Sequence, residues 1–314
     1  MMIVRSGKGH RGKAIIVAEL ILKDFDEHKM YLLGGDKGLS RALLKRDGYK
    51  NREVEFVSLI RENVKPGDVC FDIGANIGYI TLLLAKLAGR SGKVYAVEPN
   101  PKNLEVLRKN IELNDYQDIV ETEWLAISDR DGAAEFYLSE RSNLGALRES
   151  KNTSGKKITV PVTSVDSYLK GRRLPDFYKM DVEGCEVNIL NGMAETAKIS
   201  KPGTRIFIEV HPEVYGLQLN MEQALRKMMG TGFGFKYVIS AGVAVPRLFR
   251  EKGYEPNRVY RSGSTGKWVR GVYNNIDPED AIRFCCFAHR EYVPEAGKET
   301  AKIVRYIILE KFGT

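Results

Sequence analysis

The run Asp72-Ile73-Gly74-Ala75-Asn76-Ile77-Gly78 combines a carboxylate, an amide and two glycines within seven residues, and Glu98 follows Gly78 after twenty more. Glycine lets the backbone approach a ligand and take dihedrals closed to other residues. A carboxylate at the end of the next strand can accept both hydroxyls of a ribose, as charge-assisted bonds. A dinucleotide loop needs Gly-x-Gly-x-x-Gly so that bare backbone reaches a pyrophosphate. Here the middle glycine is replaced by Asn76, and Asp72 brings negative charge to the loop. That charge suits an ammonium or sulfonium group. The cofactor expected at Asp72, Gly74, Asn76, Gly78 and Glu98 is therefore S-adenosylmethionine (SAM), with Asp72 accepting from its amino group and Glu98 from its ribose.

A second group of polar residues lies further on. Asp181 and Glu183 follow one apolar run, and Glu209 and His211 end another. Beside a SAM methyl group such residues suit in-line transfer to an oxygen, where alignment supplies much of the rate. A hydroxyl acceptor must also lose its proton. Asp181, Glu183 and His211 are the candidate bases, and His211 is preferred because its ordinary pKa lies nearest neutrality. The second reading of the same acids is a divalent cation held by Asp181, Glu183 and Glu209 through hard oxygen ligands. Ala126, Ser128 and Asp129 follow a further strand, where Ser128 or Asp129 would bond the adenine amine; a plain turn is the rival reading.

These groups need a sheet to position them. Apolar runs at 69–71, 94–97, 119–124, 176–181, 205–210 and 235–239 read as strands. Between them lie helical patterns, including Ile80 to Ala88 and the amphipathic stretch Lys102 to Asn114. Alternation of this kind calls for a mainly parallel sheet covered on both faces. Residues 133–138 and 158–162 read as an added hairpin, Ser164 or Thr163 as a helix cap, and 303–309 as a late strand.

Lys179-Met180-Asp181-Val182-Glu183-Gly184-Cys185-Glu186 resembles the Lys-x-Asp-Val-Glu-Gly-x-Glu signature of the FkbM-type SAM-dependent methyltransferases. Asp72 to Gly78, Glu98-Pro99-Asn100-Pro101 and Ala126-Ile127-Ser128-Asp129 resemble further motifs of that family, as do Asp36 to Ser40 and the closing stretch Arg305 to Lys311. The resemblance implies an α/β class I methyltransferase (Rossmann-like) fold. Its sheet is seven-stranded and mainly parallel with the last strand antiparallel, extended at the N-terminus and interrupted before the last strand. It also implies O-methylation of a sugar, glycan or other hydroxyl-bearing small molecule. The expected division is 1–55 as an N-terminal cap, 56–240 as the SAM-binding core, 241–302 as an insertion and 303–314 as the final core strand.

Topology makes a further expectation of the insertion. A parallel sixth strand and an antiparallel last strand both open on the carboxyl edge of the sheet, where ligands bind. Residues 241–302 are therefore expected to cover the acceptor pocket as a lid. Arg258, Arg261 and Trp268 would face an anionic or sugar-like substrate.

The chain is 43% hydrophobic, which fits a globular protein rather than a disordered one. No run of 18 apolar residues or signal-peptide pattern is evident, so a cytoplasmic protein without a membrane span is expected. The four cysteines lack metal-site spacing and read as reduced thiols. A formal charge of +8 and the basic, aromatic stretch 247–270 keep an RNA methyltransferase as the alternative. A SAM-binding protein without catalysis is the third reading.

Overall fold

The computed structural model describes residues 20–25, 27–45, 48–50, 52–149, 153–215, 219–262, 268–286 and 302–313. Among them, nine strands form one sheet: Val69–Ile73 (β1), Lys93–Val97 (β2), Val120–Glu123 (β3), Phe177–Met180 (β4), Arg205–Glu209 (β5), Phe233–Ser240 (β6), Arg258–Ser262 (β7), Trp268–Tyr273 (β8) and Val304–Lys311 (β9). Their order across the sheet is β7-β8-β6-β9-β5-β4-β1-β2-β3. Strands β3, β2, β1, β4 and β5 run parallel, while β9 lies antiparallel between β5 and β6. This is the expected seven-stranded core with its reversed last strand, widened by the β7–β8 hairpin.

The central strand β1 is buried at every position, as a strand covered on both faces must be. Its side chains alternate between two apolar layers. Val69, Phe71 and Ile73 face Val187 and Ile189 of helix α4 (Glu186–Asn191) and Leu225 of α5 (Met221–Gly230). Cys70 belongs to the opposite layer, with Phe56 and Ile60 of α1 (Val54–Asn63), Leu82 to Ala85 of α2 (Tyr79–Ala88) and Leu104 and Leu107 of α3 (Pro101–Leu113). Asn100 caps α3 by accepting from Lys102 N, and Pro101 stands in the first turn, where its missing N–H costs nothing.

A satellite sheet joins Ala126–Ser128, Gly132–Tyr137 and Lys157–Ser164. It contains the expected hairpin plus one parallel strand, and Ser164 caps the short helix that follows. The N-terminal ribbon Leu20–Asp24 and Lys29–Leu33 is tied to α3 through Asn110, whose amide spans Tyr31 N and O and Ile77 O.

Among its described residues, the insertion extends the sheet. It leaves the carboxyl edge of β6 and folds down the side of the sheet, because the outer edge of β6 offers unpaired backbone. Strand β8 fills that edge, pairing Tyr273 with Val238 and Val272 with Ile239. Side chains then bind the hairpin to α1. Tyr260 shares a 3.0 Å hydrogen bond with Ser58, Arg258 pairs with Glu62, and Arg270 pairs with the fully buried Glu55. Phe249 meets Tyr273 edge to face and stacks on Phe284 of helix α6 (Pro278–Cys286), which packs beside α5. Residues 287–301, the rest of the expected lid, lie outside the described residues.

Candidate active site

Two cavities open at the carboxyl edge of β1, β2, β4 and β5. The first, of about 550 Å³, is walled by the loop after β1, by Glu98 after β2, by Leu125 to Ile127 and by the arch Ser142 to Leu147. Gly74 turns with φ +80°, and a Cβ there would overlap the Asp181 carbonyl, so only glycine lets the loop close on β4. Asn76 takes the left-handed conformation (φ 52°), which asparagine tolerates better than most residues. Its side chain donates to Ser142 O at 3.1 Å and accepts from Ile77 N at 2.8 Å. Glu98 accepts from Asn76 N and Asn100 N, each at 2.8 Å. Burial pushes its carboxyl up to about 7, against the pull of those amide donors.

Asp36 holds the arch in place. Its carboxylate accepts from Gly38 N and Ser40 N on its own segment and from Ser142 N and Oγ on the arch. Nothing in the sequence linked these segments, which lie 106 residues apart. The arch was legible only as part of a decorative hairpin.

The second cavity, of about 660 Å³, shares Gly74, Asn76, Asn143, Asp181 and Glu183 with the first. Leu39, Phe56, Tyr79 and Ile80 form its apolar side, and Arg52, Glu53, Glu209 and Arg305 its charged side. Glu53 and Glu183 also have positive φ (49° and 50°), so among the described residues three of the four non-glycine residues with this conformation line the cavities. Backbone strain of this kind concentrates at functional sites. Arg52, Glu53 and Arg305 carried no signal in the sequence, because two distant segments bring them together.

The acids divide by partner. Glu209, despite its burial, is held well below the usual carboxylate range by Arg305 and Lys302, whose nitrogens lie 3.2 and 2.9 Å away. Asp181 is pushed up to about 6 by burial and by the charge of Glu209. Glu183 is pushed up to about 8 by burial, with Asp181 and Glu209 adding to it and His211 opposing. His211 donates or accepts through Nδ1 at 2.7 Å from Glu186, a fully buried residue that also accepts from the Tyr215 hydroxyl at 3.0 Å. Burial pulls His211 down, but Glu186 and Glu209 outweigh it and hold the ring at about 9.

Several of the expected residues lie away from the cavities. His211 lines neither cavity, and the buried Glu186 engages its Nδ1. Asp72 touches neither cavity. Strand alternation turns it with Cys70 toward α2, where it pairs with Lys179 at 3.0 Å and accepts from Thr81 at 2.7 Å. Lys179 in turn donates to Gly74 O at 2.8 Å, so Asp72 braces the loop from beneath. Gly78 lies outside the first cavity and turns the chain into α2 with φ +95°. Ala126 lines the first cavity, but Ser128 and Asp129 face α4, where Asp129 accepts from Asn188 at 2.9 Å. Arg258 is committed to Glu62 and lies with the exposed Arg261 on the edge hairpin, away from both cavities. Trp268 starts β8 on the same hairpin, and its side chain lies outside the described residues. Cys70, Cys185, Cys285 and Cys286 are free thiols.

A parallel α/β sheet with its last strand reversed, a glycine turn after the first strand and an acid after the second defines the class I methyltransferases. Residues 72–256 match the model of the methyltransferase FkbM domain, and the chain belongs to that family of SAM-dependent methyltransferases. It is 26% identical over 164 residues to the hexuronic acid methyltransferase AglP of Haloferax volcanii, covering 52% of this chain and 64% of that protein. It is 44% identical over 57 residues to a protein-L-isoaspartate O-methyltransferase of Aeropyrum pernix, covering 18% of this chain and 22% of that protein. The chain thus spans less than two thirds of the length of either relative. A SAM-dependent O-methyltransferase structure from Thermotoga maritima matches 94% of this chain and 93% of its own with 14% identity and a TM-score of 0.38. Among the described residues no helix is long and apolar enough to cross a membrane.

Proposed function

We propose that the protein transfers a methyl group from SAM, bound in the first cavity, to an oxygen of a sugar or similar small molecule in the second. The observation that carries this is the wall the two cavities share at Gly74, Asn76, Asn143, Asp181 and Glu183. A cofactor sulfur on one side and an acceptor oxygen on the other meet there, with the methyl group between them. The acceptor oxygen forms its bond to the methyl carbon as the carbon–sulfur bond breaks, and the electron pair stays on sulfur. Alignment at the wall contributes much of such a rate. Asp181 and Glu183 bring their carboxyl groups to that wall, where the acceptor's proton must leave.

Glu98 is the ribose hook, with Leu125 to Ile127 beside the adenine. An apolar side with Tyr79 and a charged side with Arg52, Glu53 and Arg305 suit the apolar faces and hydroxyl or carboxylate edges of a sugar. The hexuronic acid relative supports the same acceptor class. An RNA acceptor is less well supported, because Arg247, Arg258 and Arg270 of the basic segment are taken by Glu251, Glu62 and Glu55. The test incubates the protein with SAM and a panel of free sugars, uronic acids, glycan extracts and tRNA, and reads a +14 Da product. Methylation of tRNA alone would reverse the assignment of acceptor, and failure to bind SAM would end the methyltransferase reading.

A further inference from the structure

We propose that Asp181, Glu183 and the Nε2 nitrogen of His211 form a divalent-cation site in the wall between the two cavities. One ligand atom from each lies within 4.8 Å of the others. The decisive feature is the histidine rather than the acids. His211 is only 6% exposed, and its Nδ1 is engaged by Glu186 at 2.7 Å. Its Nε2 has no hydrogen-bond partner among the described residues and points at Glu183, 3.8 Å away, and Glu209, 3.7 Å away. A metal-bound imidazole has this arrangement: one nitrogen ties the ring to a buried carboxylate and leaves the other for the ion. Glu186 is itself completed by Tyr215 and by Gly184 N, so the outer layer is already built.

Charge favours the same conclusion. Glu209 has Lys302 and Arg305, Glu53 has Arg52, and Asp72 has Lys179. Asp181 and Glu183 accept no hydrogen bond and hold no Lys or Arg partner among the described residues. The sequence reading gave Glu209 as third ligand, but its two cations commit it elsewhere and His211 takes the place. Donors about 2.1 Å from a small divalent ion lie at most about 4.2 Å apart. Two carboxylates and one imidazole suit a first-row ion such as Mn²⁺.

This inference rests on the proposed transfer and adds the fate of the proton. An acceptor hydroxyl bound to the ion loses its proton to solvent in the cavity. The resulting oxyanion attacks the methyl carbon, and S-adenosylhomocysteine leaves. The test uses the full chain stripped with EDTA and titrated with Mn²⁺, the free ion being followed by electron paramagnetic resonance. One Mn²⁺ should bind per chain, and Glu183→Gln and His211→Ala should each weaken binding on the order of 10–100-fold. Calorimetry with S-adenosylhomocysteine on the same samples reports whether each variant remains folded. Should His211→Ala unfold, Glu183→Gln alone decides. No Mn²⁺ uptake by the wild type, or uptake unchanged in Glu183→Gln, overturns the site. Neither cofactor nor acceptor enters the Mn²⁺ reading. Methyl transfer that survives EDTA sinks the cation alone, whereas absence of SAM binding sinks the transferase reading alone.

Discussion

Glu98 meets two opposing demands. Folding buries its carboxyl and raises it from 4.5 to about 7, so its contribution favours the fold below pH 4.5 and is lost as pH rises through about 7. Ribose hydroxyls need the ionised form as acceptor. SAM affinity should therefore climb with pH through about 7 when followed by calorimetry. Glu98→Ala should flatten that rise and weaken binding by about 1.5–3 kcal/mol, the worth of hydrogen bonds to a charged group. An unchanged titration curve would remove Glu98 from the ribose site. Asp72 tests the difference between ligand and brace. Asp72→Ala leaves Lys179 buried without its partner, and loss of one member of a buried pair costs about 3–5 kcal/mol. Urea unfolding should record a loss of that size. A stable variant that had lost only SAM affinity would return Asp72 to the binding surface.

At the scale of elements, the arch over the first cavity depends on a single carboxylate. Asp36 joins the segment before helix Leu39–Leu44 to Ser142, and Asn76 and Asn103 both donate to Ser142 O. Asp36→Ala removes four acceptor contacts and should speed amide exchange across residues 138–147 and weaken SAM binding, with β1 and α2 unaffected. Uniform protection in the variant would show that the arch stands without Asp36. The motif residues before and after it were readable because glycine turns and strand-end acids are local signals. The arch was not, since its anchor is a hydrogen-bond pattern between segments with no common period.

At the scale of the molecule, the insertion is an extension of the sheet. Arg270→Ala leaves Glu55 buried and unpaired, which should destabilise the fold by about 3–5 kcal/mol in urea while the folded protein keeps its affinity for S-adenosylhomocysteine. A stable variant with impaired acceptor binding would instead restore the lid reading. The same edge bears on the topological expectation of a lid. Both ends of the insertion do open at the carboxyl edge, but an unpaired strand edge attracts backbone partners as well. Pairing with β6 and contact with α1 drew the hairpin aside.

The sequence by itself determined what depends on neighbours in the chain. Apolar runs specified the strands, their alternation with helices specified a parallel sheet, and the spacing of Gly74, Asn76 and Glu98 marked residues that line the first cavity. Only the tertiary structure decided what depends on direction and partnership. Asp72 and Glu98 are both strand-associated acids, yet strand alternation buries the first against Lys179 and the loop leaves the second in the cavity. Asp181, Glu183 and His211 read as candidate bases with His211 preferred, and Glu209 joined the two acids only in the cation reading. Lys302 and Arg305 claim Glu209 and Glu186 claims His211, from positions 25 to 96 residues away. Local spacing carries no information about such pairings, because they arise when the sheet brings separate strand ends to one edge.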